Sequence, residues 1–106
     1  MHSHIDLAAR VEIVRAKAED LAYLKGWLVY IGNLQLEGRR GAHADLLEPE
    51  VSPIGADKEG LVMVQLLETF DSVEHLKLAE QNERRKIAQR EMNIKYPTIY
   101  VIRFTV

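Results

Sequence analysis

Gln65 is a polar side chain in an otherwise apolar segment, and its amide can both donate to and accept from a bound molecule. It shares one face of residues 61–70 with Leu61, Met63 and Leu67. An amide without partners in such a place costs roughly 1 to 3 kcal/mol, so Gln65 must find some. The partner is a substrate group, the backbone or a second subunit, and the sequence leaves the three open.

Arg103 brings a fixed positive charge into the apolar segment 98–106. It lies on the same strand face as Ile99 and Val101, where a guanidinium can bind an enolate or a carboxylate. One interpretation is therefore a catalytic Arg103 that stabilises an anion. The alternative, which we expect more often at such positions, is an ion pair with Glu68 or another carboxylate.

The candidate general base is His43, in a segment that we expect to form a loop over a pocket, with Asp45 available to orient its ring. His2 and His4 form an H-x-H pair, but a metal site needs a third ligand and a rigid frame. A frayed terminus is expected there. We therefore predict no metal site.

Three further candidates for a chemical role, His75, Glu80 and Glu83, follow residue 72 in a segment with helical periodicity. His75 lies off the apolar line of the helix, so it is expected to face solvent or the helix flank, and contact with a substrate is the less common alternative. Glu80 and Glu83 interrupt the apolar stripe, and paired carboxylates can do acid–base chemistry. We expect instead a solvated helix surface on which Glu80 pairs with Arg84 at i, i+4.

The first half of the chain is predicted to form a strand followed by a helix. Residues 10–17 are rich in β-branched side chains, which favours a strand. Residues 19–37 place apolar side chains on one helical face, and Glu19 and Asp20 supply the negative charge that suits a first turn. Apolar spacing over residues 4–37 also allows one long helix, and this alternative stays open.

The second half adds three strands and one helix. An irregular strand near residues 47–51 is confined by nearby prolines to an edge or a bulge. Strand 61–70 is apolar on both faces, so it is expected to be central and covered on both sides. Asp71 or Ser72 is expected to cap a helix that runs to about residue 93, and residues 98–106 form the last strand.

This order, β-α-β-β-α-β, predicts a ferredoxin-like α+β fold, in which two helices cover one face of a four-stranded antiparallel sheet. All 106 residues are expected to form one domain, since the chain is too short for two cores. The other face of the sheet is also apolar and must be removed from water. A second copy of the chain, packed sheet against sheet, would bury it. The sequence therefore predicts a homodimer.

The segment from Val62 to Leu76, VMVQLLETFDSVEHL, resembles the dimeric α/β-barrel superfamily, and especially its antibiotic-biosynthesis-monooxygenase-like branch. In that branch a strand with an aromatic end passes through a short acidic turn into a helix bearing a histidine. The aromatic residue is often tryptophan, whereas this chain has Phe70, and residues 42–60 are longer and richer in proline than expected. The resemblance implies a dimeric α/β barrel.

The resemblance also implies a pocket for an aromatic or polyketide-like substrate, which the enzymes of the branch oxygenate without metal or flavin. Tyr23, Trp27, Tyr30 and Asn33 of the first helix are the candidate lining and donor groups. The alternative is that the Tyr and Trp stripe belongs to the core or to a dimer contact.

The composition of the chain argues against several classes of function. Fourteen basic and 16 acidic residues give a net charge of -2, which offers no basic field for nucleic acid. The chain has no cysteine and no apolar run near the roughly 20 residues of a membrane span. We expect a cytoplasmic homodimer that binds a small apolar or aromatic molecule, needs no cofactor and contacts no membrane. It is either a cofactor-independent monooxygenase or a non-catalytic ligand-sensing or interaction module.

Overall fold

The structure is a computed structural model that describes residues 7–34, 49–56 and 60–105. Its elements follow the expected order, with the second helix divided in two. In chain order they are β1 (Ala8–Ala16), a 3-10 turn (Ala18–Asp20), α1 (Leu21–Leu34), β2 (Glu50–Ala56), β3 (Val62–Phe70), α2 (Val73–Gln81), α3 (Glu83–Lys95) and β4 (Thr98–Thr105). The predicted ferredoxin-like α+β fold is confirmed.

The four strands form one antiparallel sheet in the order β2-β3-β1-β4. β3 is therefore central, as its two apolar faces predicted. β1 is a strand, so the alternative of one helix over residues 4–37 is wrong. Its β-branched side chains decided the outcome, because they fit a pleated sheet better than a helix.

β2 differs from its prediction at both ends. It runs from Glu50 to Ala56, later than the expected 47–51, and residues 47 and 48 lie outside the described part of the chain. The strand lies at an edge of the sheet and its register shifts between Pro53 and Gly55. Both features agree with the expectation that proline restricts this strand to an edge or a bulge.

The helices cover one face of the sheet, which we call the helix face. Val14 and Ala16 of β1 and Val64 and Leu66 of β3 point towards this layer, and so do the other even-numbered residues of the two strands. The main core lies here, at one end of the sheet. It contains Val14, Ala16, Leu24, Trp27, Leu28, Ile31, Val64, Leu66, Ala88, Met92 and Tyr96.

The opposite surface of the sheet, which we call the open face, carries the odd-numbered residues of β1 and β3. The pairing places Phe104 beside Ala9, Ile102 beside Val11, and Tyr100 beside Ile13. The three β4 side chains are large and apolar or aromatic, yet they are 44–48% exposed. This surface is thus apolar over several strands.

The predicted single helix after residue 72 is two helices. Ser72 caps α2, since its Oγ accepts from the His75 N–H at 3.1 Å, as predicted. The break comes at Asn82, whose backbone is extended (φ -64°, ψ 124°) and whose Oδ1 caps α3 by accepting from the Arg85 N–H at 3.0 Å. Asn competes for backbone hydrogen bonds inside a helix and favours caps, which explains the break.

None of the helices within residues 7–34, 49–56 and 60–105 combines the length and hydrophobicity that crossing a membrane requires.

Candidate functional site

Charged side chains form a row across the helix face of the sheet. Arg10 of β1 pairs in register with Arg103 of β4 on one side and with Glu68 of β3 on the other. Two arginines directly opposite each other repel, so they need a carboxylate between them. The sheet itself therefore creates a demand for negative charge above Arg10 and Arg103.

Glu80 of α2 meets this demand. Its carboxylate accepts from Arg10 Nε at 2.9 Å and from Arg103 Nε at 2.8 and 2.9 Å, and Arg103 Nη2 lies 2.7 Å from Glu80 Oε2. Burial alone raises the pKa of Glu80, but the hydrogen bonds from Arg103 and Arg10 outweigh it and hold the pKa below its ordinary value. Glu80 is therefore a carboxylate bridging two guanidinium groups.

A second ion pair lies beneath the start of α3. Arg85 binds Glu68 in a bidentate manner, through Nη1 at 2.9 Å and through a second hydrogen bond from Nη2. Both side chains are almost fully buried. Burial works against the charged guanidinium, yet the hydrogen bond and charge of Glu68 raise the pKa of Arg85 above its ordinary value.

Glu12 of β1 anchors the other end of the network. It is 1% exposed and accepts from Arg10 Nη1 at 3.1 Å and from the Gln89 amide at 3.0 and 3.1 Å. Thr98 and Asn93 donate to it as well, and Asn93 also donates to the Tyr96 carbonyl. A buried carboxylate is tolerated when donors surround it in this way, so Glu12 has a structural role.

Above this network lies a cleft of about 470 Å³, which we call the basic cleft. Its volume is within the usual range of small-molecule sites, roughly 300 to 1,000 Å³. Five positively charged and two negatively charged side chains line it. They are Arg10, Arg85, Lys86, Arg90 and Arg103, with Glu80 and Glu83, and Gln89 completes the lining.

A second hollow of about 350 Å³, the apolar cavity, shares Glu80 and Arg103 with the basic cleft. Its other lining residues are mainly apolar. They are Ala8, Val73, Leu76 and Phe104, with Lys77 and Thr105. One ion pair thus contributes to a charged and to an apolar compartment.

The basic cleft is suited to binding a negative group. Arginine presents several donors in a planar fork that matches a carboxylate, and it stays protonated at any ordinary pH. Arg103 is half exposed and its pKa is raised, chiefly by the hydrogen bond to Glu80. Among the described residues, no three His, Asp or Glu side chains are grouped in a way that would hold a metal ion.

The residues singled out in the sequence fall on different surfaces. Arg103 lines the basic cleft, whereas Gln65 is partly buried on the open face beside Ile13. Trp27 lies in the core, where its indole N–H donates to the Ala88 carbonyl at 3.3 Å. The structure therefore does not bring Arg103, Gln65 and Trp27 together.

The remaining candidates lie apart from the cleft. Tyr23 and Tyr30 of α1 are about half exposed, and Asn33 is exposed near the end of the same helix. His75 is partly buried in α2, and its Nδ1 lies 3.9 Å from Asp71 Oδ2. His43 lies outside the described residues.

Two expectations about α2 and α3 are wrong. Glu80 pairs with Arg10 and Arg103, whereas Arg84 is exposed. The expected solvated surface is wrong for Arg85, which is 2% exposed, whereas Glu83, Arg84 and Lys86 beside it are exposed. The helix break at Asn82 is the reason, since it changes which residues of this segment face the sheet.

The sequence did carry a signal for the buried charges. Arg10 and Glu12 share strand parity with Val14 and Ala16, so they had to face the same layer as these core residues. The ion-pair partners of these residues could not be predicted from the sequence, since Glu80 lies 70 residues away from Arg10 along the chain.

Comparison by sequence finds no matching family model and no matching curated protein. Comparison by structure finds the same fold in solved proteins. A proposed antibiotic biosynthesis monooxygenase from Nitrosomonas europaea is 7% identical, with a TM-score of 0.55 over 100% of this chain and 91% of its own. Another from Deinococcus radiodurans is 16% identical, with a TM-score of 0.56 over 93% and 89%.

The de novo designed protein Foldit4 is similar to the same degree, at 14% identity and a TM-score of 0.54 over 95% of this chain and 96% of its own. These solved structures therefore confirm the fold that the resemblance predicted. A designed protein and natural proteins share this fold, so the fold by itself does not define an activity.

Proposed function

We propose that this chain is a small-molecule-binding protein that acts as a homodimer and binds its ligand in the basic cleft. The observation that supports this most is the combination of size and charge in the cleft. A cavity of about 470 Å³ is lined by five cationic side chains and two acidic ones, on a sheet whose charged row is held in place by buried partners. Such a pre-organised site binds at low cost in entropy.

The open face supports the homodimer. Ile102, Phe104 and Tyr100 are 44–48% exposed on one surface, and the partly buried Val11 of the paired strand lies beside Ile102. A contiguous apolar surface of this kind is a common feature of protein interfaces. A second copy packed sheet against sheet would cover it with an identical surface, which is the simplest symmetric arrangement.

A second candidate function is oxygenation of an aromatic substrate without a cofactor. The half-exposed guanidinium of Arg103 lies where the basic cleft meets the apolar cavity, so it is placed to stabilise negative charge that develops on an oxygen of an apolar substrate. His43 would serve as the base. The names of the structural neighbours from Nitrosomonas and Deinococcus agree with this chemistry.

Binding is tested with 8-anilinonaphthalene-1-sulfonate, an anionic aromatic probe. Trp27 is the one tryptophan of the sequence, so energy transfer from Trp27 reports binding of the probe to the protein, and substitutions then locate the site. We expect Arg90→Glu, in the cleft lining, to weaken binding about tenfold, because it replaces attraction by repulsion.

The matched control is Arg84→Glu, which makes the same charge change on an exposed residue that does not line the cleft. It is expected to leave the affinity nearly unchanged. The absence of any energy transfer, or equal losses in the two variants, would show that the cleft is not the binding site.

Oxygenation is tested by measuring oxygen uptake when the protein is mixed with a polycyclic phenol. Uptake above the uncatalysed rate, lowered by Arg103→Gln, is the expected result. Uptake that equals the uncatalysed rate for every phenol tried would reject the second candidate and leave ligand binding as the function.

A further inference from the structure

Glu80 occupies the place of a ligand carboxylate. Its two oxygens receive hydrogen bonds from Arg10 and Arg103, which the sheet holds side by side. Two neighbouring guanidinium groups that share one carboxylate form a fork of donors, and such donors are what proteins use to recognise carboxylates in small molecules. Here that fork is filled by a side chain of the same protein.

Among the six charged side chains that bind one another in this network, positive and negative charges balance while a carboxylate occupies the fork. Arg10, Arg85 and Arg103 carry three positive charges, and Glu12, Glu68 and Glu80 carry three negative charges. Glu12 and Glu68 are 1% exposed and have their own partners. If Glu80 leaves, one positive charge remains without compensation, and a group with a single negative charge restores the balance.

Glu80 is the member of the network that can leave at least cost. Its side chain is 21% exposed and its partner Arg103 is 53% exposed, so water can reach both when they separate. Glu80 also lies two residues before the break at Asn82, where the last turn of α2 is not continued by the hydrogen bonds of α3. Its displacement therefore leaves the buried pair of Arg85 and Glu68 intact.

The apolar cavity indicates that the negative group of the ligand is attached to an apolar part. Ala8, Val73 and Leu76 are the apolar residues of the helix face that line a space of about 350 Å³, which borders the same ion pair. A ligand whose charged end lies on Arg10 and Arg103 can thus place an apolar body against these side chains and remove it from water.

We propose that the site binds an apolar monocarboxylate, whose carboxylate displaces Glu80 from Arg10 and Arg103 and whose apolar part fills the apolar cavity. This inference rests on the proposed function, because it names the ligand class of that same site. A dianion such as phosphate is a poorer match, since it has no apolar part to fill the apolar cavity. A neutral apolar molecule would leave Glu80 in place and gain nothing from the fork.

The first experiment measures the affinity of the whole protein for octanoate and for 1-octanol by calorimetry. The wild-type protein is expected to bind octanoate more tightly than 1-octanol. Glu80→Gln, which removes the competing carboxylate, is expected to tighten octanoate binding about tenfold. Glu74→Gln is the matched control, because it makes the same change on an exposed residue of α2 that lines neither cavity.

The second experiment tests the apolar cavity. Val73→Asp introduces a charge into its lining at a half-exposed position in the first turn of α2, where an acidic residue is compatible with the helix. It is expected to weaken octanoate binding about tenfold, because the apolar chain would lie against a carboxylate. Leu78→Asp, on the exposed side of the same helix, is expected to have little effect.

The outcomes separate the inference from the proposed function. Equal affinity for octanoate and 1-octanol, or octanoate binding that Glu80→Gln does not tighten, would overturn the monocarboxylate inference even if the naphthalene sulfonate probe binds in the cleft. If octanoate, 1-octanol and that probe all fail to bind the wild-type protein and Glu80→Gln, the proposed binding function fails together with the inference.

Discussion

At the residue scale, the helix layer and the sheet are joined by ion pairs as well as by an apolar core. Arg85 and Glu68 form a bidentate pair that is almost fully buried. Such a pair gains little over two apolar residues of the same size, because both ions lose their hydration. Removal of one partner is much more costly, because the other charge stays buried without compensation.

We therefore expect Glu68→Leu and Arg85→Met each to lower the free energy of unfolding by about 3 to 5 kcal/mol. The double variant is expected to recover most of this loss, because no lone charge remains. Urea denaturation of the four proteins gives the coupling energy. Losses that simply add in the double variant would show that the two side chains do not stabilise each other.

Glu80 gives the protein a predictable response to acid. Its pKa is below the ordinary value in the folded protein, so its ion pairs stabilise the fold above about pH 4.5 and are lost as the pH falls through the lowered pKa. Glu80→Gln lacks this contribution at every pH. The difference in stability between wild type and Glu80→Gln should thus be constant near neutrality and shrink below pH 4.5, as followed by urea denaturation at several pH values.

One result of these urea denaturation experiments would contradict the prediction for Glu80. A difference that stays constant from pH 7 to pH 3 would mean that Glu80 gains no stability from its charge.

The sequence predicts a charged residue of the site only when its local sequence pattern shows that the residue needs a partner of opposite charge. Arg103 was recognised because one charge stands out in an apolar strand, and its pairing with a carboxylate was anticipated, although Glu80 is that carboxylate. Arg85 was not recognised, because a run of charged residues on a helix normally faces water. Its burial depends on the helix break and on Glu68, neither of which shows in local periodicity.

At the element scale, the break between α2 and α3 decides which side chains reach the sheet. Asn82 ends one helix and caps the next, and the residues on either side supply Glu80 and Arg85 to the charged row. Two short helices can follow the twist of the sheet more closely than one straight helix. The position of the break is therefore part of the site.

Asn82→Ala is expected to lower the free energy of unfolding by about 1 kcal/mol, because the N–H of Arg85 loses its side-chain acceptor. Asn82→Asp keeps an acceptor and is expected to retain most of the stability. Thermal denaturation followed by circular dichroism measures both. The neighbouring exposed change Gln81→Ala serves as the control, and an equal effect of Gln81→Ala and Asn82→Ala would argue against the cap.

The elements themselves were largely predictable, since strand and helix periods differ and Ser72 is a strong capping signal. The failures have physical causes. The break at Asn82 is invisible to apolar spacing, and β2 is displaced because an edge strand with a proline bonds to one neighbour only. Pairing with β3 sets its limits more than its own residues do.

At the scale of the whole molecule, the two faces of the sheet differ in how far the chain itself covers them. The helix face is covered within the chain, whereas β4 presents half-exposed apolar and aromatic side chains on the open face. Burial of these side chains against a second copy would add to stability in proportion to the area removed from water, roughly 25 cal/mol per Å². The proposed homodimer therefore makes a specific prediction about this surface.

Ile102→Asp is expected to convert the dimer to a monomer at micromolar concentration, because a carboxylate would be buried in the centre of the interface. Multi-angle light scattering after size exclusion gives the mass directly. Leu78→Asp, on the exposed side of α2, is the control and should remain dimeric. A wild-type monomer, or a dimer that survives Ile102→Asp, would exclude the sheet-to-sheet arrangement.

The central position of β1 has a consequence for folding during synthesis on the ribosome. β1 is made well before β4, yet β4 is one of its two neighbours in the sheet, and Ala8 pairs with Thr105. Until β4 has left the exit tunnel, Arg10 and Glu12 have an open strand edge beside them and nothing to close the sheet. The sheet is therefore completed only after β4 has been made, and slow synthesis of the intervening chain offers β1 little help.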